Sequence, residues 1–305
     1  MTTIRQHAED YLTIRRTLGF KLVGEGQLLA SFVTFIERSG AETVTTEICV
    51  AWTRLTTDAG SAYLARRMRV TRSFARYLHT IDPTTEVAPT DLFRSQNHRP
   101  TPYIYSNAEI VALVLATREL SPPLRAATYE TLLGLLAATG MRVGEAMALD
   151  GADVDWVAGL LTVRNTKFGK SREVLLHPSV VEKLKEYVNQ RDRLARASTP
   201  SFFISTRGTR LQRETINPTF RQVRRRVFAD DAMRHRRIHD LRHTFAVNTL
   251  LSWYRDGGDV ASRMPLLSTY LGHIDPKATY WYLSATPELL ALAAKRLELA
   301  MEEQS

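Results

Sequence analysis

The stretch Asn97-His98-Arg99-Pro100-Thr101-Pro102 interrupts every apolar pattern in the chain, and it limits the fold more than any other feature. Two prolines in three positions remove backbone donors and bias their neighbours away from helix, so no single element runs through it. With 305 residues to place, two domains of ~100–200 residues each are expected. The boundaries are a helical domain over 1–96, a linker over 97–106 and a second domain over 107–305. Before the break, the spacing predicts helices over roughly 4–18, 25–38, 45–56 and 61–80, punctuated by Gly19, Gly24, Gly40 and Gly60. After it, helical spacing over about 107–149 yields to a β patch and then returns. Leu160 to Asn165 and Arg172 to Leu176 read as two strands joined across the turn Thr166 to Ser171. The fold class is therefore mainly α with a small antiparallel β-sheet (α+β).

The helix over 61–80 divides its residues by type. At about 100° per residue, Tyr63, Val70, Phe74, Tyr77 and Leu78 share one face, while Arg69, Arg72 and Arg76 fall almost opposite. Arg67 lies on the apolar side, where it must snorkel or pair. A basic face either is solvated or rests on phosphates, and the charge of the whole chain favours a polyanion: 41 Lys plus Arg against 32 Asp plus Glu give +9. The lone Cys49 excludes an internal disulfide and a multi-cysteine zinc site. Set between Ile48 and Val50, it reads as a buried, inert thiol. No apolar run reaches the ~20 residues that span a bilayer, and Met1-Thr2-Thr3-Ile4-Arg5 does not start a signal core, so no membrane partner and a cytoplasmic, nucleoid-associated location are expected.

Chemistry concentrates in four places. His239 and Arg242, three apart in His239-Asp240-Leu241-Arg242-His243, share a helix face and can converge on one anion. Upstream lies Gly140-Met141-Arg142-Val143-Gly144-Glu145; downstream come Leu271-Gly272-His273 and then Tyr282. An arginine, an H-x-x-R pair, a second histidine and a late tyrosine, in that order, resemble the tyrosine recombinase (integrase) family. The resemblance runs from about 100 to 285 at motif level and more loosely over the N-terminal domain, which is similar to the family's SAM-like core-binding domain that grips the duplex from the face opposite the catalytic domain.

What the resemblance implies can be set against the needs of strand cleavage. A phosphodiester repels nucleophiles with its own charge, so a catalyst must neutralise its nonbridging oxygens and protonate the departing one. Arginine, permanently charged and planar, suits the first task. Arg142 and Arg242 would clamp the phosphate, His239 would shuttle the proton of the attacking tyrosine, and His273 would hydrogen-bond the phosphate. Lys167, in the hairpin turn, would protonate the 5′-oxygen; Phe168 stands where glycine is commoner, which leaves Lys170 as the alternative. Tyr282 lies nine residues beyond His273, the family's offset for the nucleophile (273 to 282), with Tyr280 as runner-up. It would form a covalent 3′-phosphotyrosine. Glu145 would orient an arginine or histidine.

No metal or other cofactor is called for. His235, His239 and His243 have zinc-compatible spacing, but neither an H-E-x-x-H glutamate nor a cysteine accompanies them. The expected function is therefore a site-specific DNA recombinase or integrase acting on a double-stranded recombination site. A type IB-like topoisomerase and a catalytically silent DNA-binding regulator are the alternatives. The segment from Trp253 to Met264 is longer than in compact members and reads as an extended loop. Thr286, Pro287 and Glu288 announce a helix over 286–302 whose stripe Leu290, Ala294, Leu297 and Met301 suits packing on its own domain. The resemblance implies instead exchange with a neighbouring protomer in a homo-tetramer on DNA, weakly associated or monomeric without it. A related recombinase or accessory protein would be a further partner.

Overall fold

The computed structural model describes residues 3–56, 59–93, 101–164, 171–195, 199–228, 236–273, 275–284 and 286–302. The chain forms two units, Met1–Arg99 and Pro100–Ser305. The first is built from α1 (Ile4–Thr17), α2 (Val23–Ser39), α3 (Thr46–Arg54) and α4 (Ser61–His79). Thr3 and Thr45 cap α1 and α3 by accepting from the N–H groups of Gln6 and Ile48, and Gly40 ends α2 at φ +68°. The core of this unit joins Leu29, Phe32 and Ile36 of α2 to Cys49 and Trp52 of α3 and to Met68, Phe74 and Leu78 of α4. Burying each large side chain contributes about 2 kcal/mol.

Arg67 finds its partner inside this core. Its guanidinium lies 3.6 Å above the Trp52 ring and donates to the Trp52 carbonyl at 2.5 Å, a cation–π contact strengthened by burial. Tyr63, assigned to the apolar face by spacing, is exposed instead, in the first turn of α4.

The second unit runs α5 (Asn107–Ala116), α6 (Pro123–Thr139), α7 (Val143–Ala148), β1 (Val154–Asp155), β2 (Leu160–Val163), β3 (Arg172–Leu175), α8 (Pro178–Leu194), α9 (Arg213–Val227), α10 (Asp240–Arg255), α11 (Val260–Leu271), α12 (Lys277–Tyr280) and α13 (Pro287–Glu302). Ser106 and Glu109 form a capping box at the start of α5. The three strands are antiparallel in the order β1-β2-β3, with Leu161 opposite both Val154 and Val174. Leu161 and Val174 face a core shared with Leu132, Leu133 and Leu136 of α6. Helix α6 buries residues on nearly every side, as an apolar helix must.

Three expectations are corrected here. The linker drawn to residue 106 ends sooner: Tyr105 is buried, its backbone N–H donates to Thr244 Oγ1 at 2.9 Å, and Tyr103 packs edge-on against it at 5.0 Å. Strand β1, too short to show a period, was not expected. The segment 253–264 is no extended loop, since α10 continues to Arg255 and α11 begins at Val260, capped by Asp259 accepting from Ser262 N–H at 3.1 Å. Val260, Met264, Leu267 and Leu271 are buried at helical spacing, which is what orders it. Helix α13 seats Leu289 and Leu292 against the same cluster of its own chain. Among the described residues no helix is long and apolar enough to cross a membrane.

Candidate active site

Two helix ends make the frame. Helix α6 stops at Gly140 with φ +60°, and a Cβ there would lie 2.5 Å from Cδ1 of Phe245. Helix α11 stops at Gly272 with φ +66°, where a Cβ would meet Arg172 Nη1 at 2.8 Å. Only glycine suits both the backbone and the space. The carbonyls released at these ends have lost their helical partners, and arginines take them up.

Arg242, in the first turn of α10 and only 2% exposed, donates from Nη1 to the Gly140 carbonyl at 2.8 Å and from Nη2 to the Leu271 carbonyl at 2.7 Å. Nη2 also lies 2.9 Å from His273 Nε2, while His273 Nδ1 lies 2.6 Å from Thr279 Oγ1. Arg142, the residue preceding α7, donates to the Gly272 carbonyl at 3.1 Å and to Glu145 Oε1 at 2.7 Å. Arg142, Arg242 and His273 are thereby tied to one stretch of backbone, Leu271 to His273. Burial, and then the positive charge of Arg142, lower the pKa of Arg242 to about 10, against the favourable influence of Tyr282 and Glu145; it stays charged at neutral pH.

Sequence reasoning assigned no role to Arg172. On β3 and almost wholly buried, it forks onto Glu145 at 2.8 and 3.2 Å and donates from Nε to the Tyr270 carbonyl at 2.8 Å. The available signal was its place at the start of the strand that follows the turn bearing Lys167. Burial pushes the Glu145 carboxyl up, but the hydrogen bond from Arg172, the Arg142 backbone N–H, the Arg172 charge and the hydrogen bond from the Arg142 guanidinium together hold it at about 2, down from 4.5.

A shift of that size corresponds to about 3 kcal/mol of stability. Because the folded pKa is depressed, the contribution is complete above about pH 4.5 and is lost as pH falls toward 2. Glu145→Gln is accordingly expected to unfold in urea with about 3 kcal/mol less stability than wild type at pH 7, the gap narrowing between pH 5 and pH 2. A gap that ignored pH would show that the carboxylate charge contributes nothing.

His239, an exposed residue, stands just before α10 with its ring 4.8 Å from the His243 ring. Partial desolvation and then the charge of Arg242 lower its pKa, which favours the neutral ring that can accept a proton. Tyr282 is 2% exposed, with its ring 6.0 Å from His273 and 5.5 Å from His243. Tyr280 is half exposed. Lys167, its alternative Lys170, and His235 lie outside the described residues. Among the described residues no group of three or more His, Cys, Asp or Glu side chains could hold a metal.

In the first unit, Arg69 and Arg76 are exposed on α4. Arg72 is diverted: its Nε donates to the Ala88 carbonyl at 2.8 Å and its Nη2 to that of Pro89 at 2.5 Å. Helical spacing placed it with its neighbours, but the following chain returns alongside α4 and occupies it.

The phage integrase family model matches residues 106–288. The chain is 40% identical to a protein of Sinorhizobium fredii named as an integrase/recombinase, over the full length of both. It is 32% identical to the tyrosine recombinase XerC of a Roseiflexus species, covering 73% of this chain and 68% of that one. Among solved structures, the Tn1549 transposon integrase in complex with a circular intermediate DNA aligns with a TM-score of 0.68 at 14% identity, over 97% of this chain and 100% of that one. The XerH site-specific recombinase bound to its palindromic difH substrate aligns at 0.62 and 18% identity, over 90% and 79%; these two likenesses concern the fold.

Proposed function

Because the chain belongs to the phage integrase family, we propose that it breaks and rejoins DNA at specific sites through a 3′-phosphotyrosine on Tyr282, with the protein's own cations in place of a metal or other cofactor. The observation that carries this reading is the convergence of Arg142, Arg242 and His273 on residues 271–273, with the Tyr282 ring against His273. Charge developing on the nonbridging oxygens meets two guanidiniums already held in place, so little reorganisation is required as it forms. Neutral His239 takes the phenolic proton as Tyr282 attacks phosphorus. The bond to the 5′-oxygen breaks, and Lys167 supplies that oxygen's proton. The phosphotyrosine conserves the bond energy, and a 5′-hydroxyl reverses the step to rejoin the strand.

A nicked suicide substrate tests this. The short fragment beyond the cut diffuses away, religation fails, and the adduct is expected to survive denaturing electrophoresis with a chelator present. Cleavage that depended on added Mg²⁺ would refute the scheme. On paired sites the active form is a homo-tetramer, to be read by light scattering of the DNA complex.

Phosphate contact by α4 is assigned to Arg69 and Arg76. Replacing both with alanine is expected to flatten the dependence of log K on log salt by about two units, roughly one per contact. Arg72→Ala should leave that slope nearly intact and destabilise the first unit instead, through two lost hydrogen bonds. An unchanged slope in the double variant would show a merely solvated face.

A further inference from the structure

We propose that Thr279 is a positioning residue that sets the tautomer of His273, holding the Nδ1 proton on its hydroxyl and leaving the Nε2 lone pair turned to Arg242. Two contacts on one ring carry this. Arg242 Nη2 lies 2.9 Å from His273 Nε2, and a guanidinium has donors only and is always charged. Nε2 therefore accepts. A neutral imidazole that accepts at one nitrogen carries its proton on the other, and Nδ1 lies 2.6 Å from Thr279 Oγ1, which accepts in turn.

Thr279 is suited to this by its surroundings. It is 1% exposed, so water does not stand in for its hydroxyl. Its backbone is fixed by N–H donation to the Pro276 carbonyl at 2.8 Å. With the hydroxyl removed, the Nδ1 proton loses the acceptor that lies 2.6 Å away, and the Nε2–H form becomes competitive. That form turns a donor against the donors of Arg242 and breaks the contact that ties the arginine to His273.

The tautomer also decides what His273 offers the scissile phosphate. In the resting site its Nε2 has no hydrogen to give, so the hydrogen bond expected from sequence forms only in the imidazolium. Thr279 accepts from Nδ1–H in both states and keeps the ring aimed while the proton count changes. The tautomer follows from geometry alone; its effect on rate rests on the strand-cleavage reading above.

The test begins with the intact protein. ¹⁵N-histidine NMR, with the His273 signals assigned by their loss in His273→Gln, is expected to show an Nδ1-protonated ring at neutral pH. Thr279→Ser should keep that tautomer and a near wild-type cleavage rate. Thr279→Val preserves the shape but removes the acceptor; it should move the ring toward the Nε2–H form and slow single-turnover cleavage about tenfold, the scale of one lost hydrogen bond, with duplex affinity little changed. An Nε2-protonated ring in the wild type overturns the proposal, and so does a wild-type rate in Thr279→Val. Were the wild type to form no adduct on any DNA, the cleavage reading would fail while the ring spectrum still decided the tautomer.

Discussion

Tyr282→Phe is expected to fold, to bind duplex DNA with the wild-type Kd and to form no covalent adduct, a loss bounded only by detection. The ring lies in the cluster with Val247, Leu250 and Leu289, and phenylalanine fills the same volume, so packing persists while the attacking oxygen is gone. Tyr280→Phe should still form the adduct, since its half-exposed ring contributes little to the cluster. Peptide mapping of the trapped complex reads the difference, and an adduct on Tyr280 would reassign the nucleophile.

The second largest effect belongs to Arg242. Alanine there removes a preorganised charge worth ~3–4 kcal/mol in transition-state stabilisation, a fall in cleavage of roughly 10²–10³-fold. It also strands the Gly140 and Leu271 carbonyls, at about 1–3 kcal/mol for each buried unsatisfied group. Both urea stability and single-turnover cleavage should therefore drop, whereas duplex affinity falls far less. Arg242→Lys keeps the charge but cannot reach both carbonyls and His273 with one ammonium, so its cleavage should stay closer to alanine than to wild type. Near wild-type cleavage by either variant would remove Arg242 from the clamp.

Much of this architecture was legible in the residues themselves. The first unit's helices follow from strong periodicity and local caps such as Thr3, Thr45 and Gly40, all short-range signals. The hairpin was legible for the same reason, as alternation about a polar turn. The segment 253–264 was not, because Gly257, Gly258 and the surrounding charges masked the helical spacing of Val260, Met264, Leu267 and Leu271. Motif order brought Arg142, His239, Arg242, His273 and Tyr282 forward, yet their mutual supports stayed hidden. Arg172 looks like an ordinary polar position on a strand until Glu145, 27 residues earlier, closes on it. Arg72 shows the reverse: its helical face was read correctly, and tertiary return of the chain at Ala88 and Pro89 changed its partner.

The anchoring of Arg242 on main-chain oxygens bears on how such a protein changes over generations. Every residue type supplies the same carbonyl, so positions such as Leu271 can drift among apolar residues without shifting the guanidinium. Gly140 and Gly272 are the exceptions, held by their backbone angles and by Phe245 and Arg172 pressed against them. A lineage can therefore rewrite most of the sequence around its reactive centre, provided those two glycines stay.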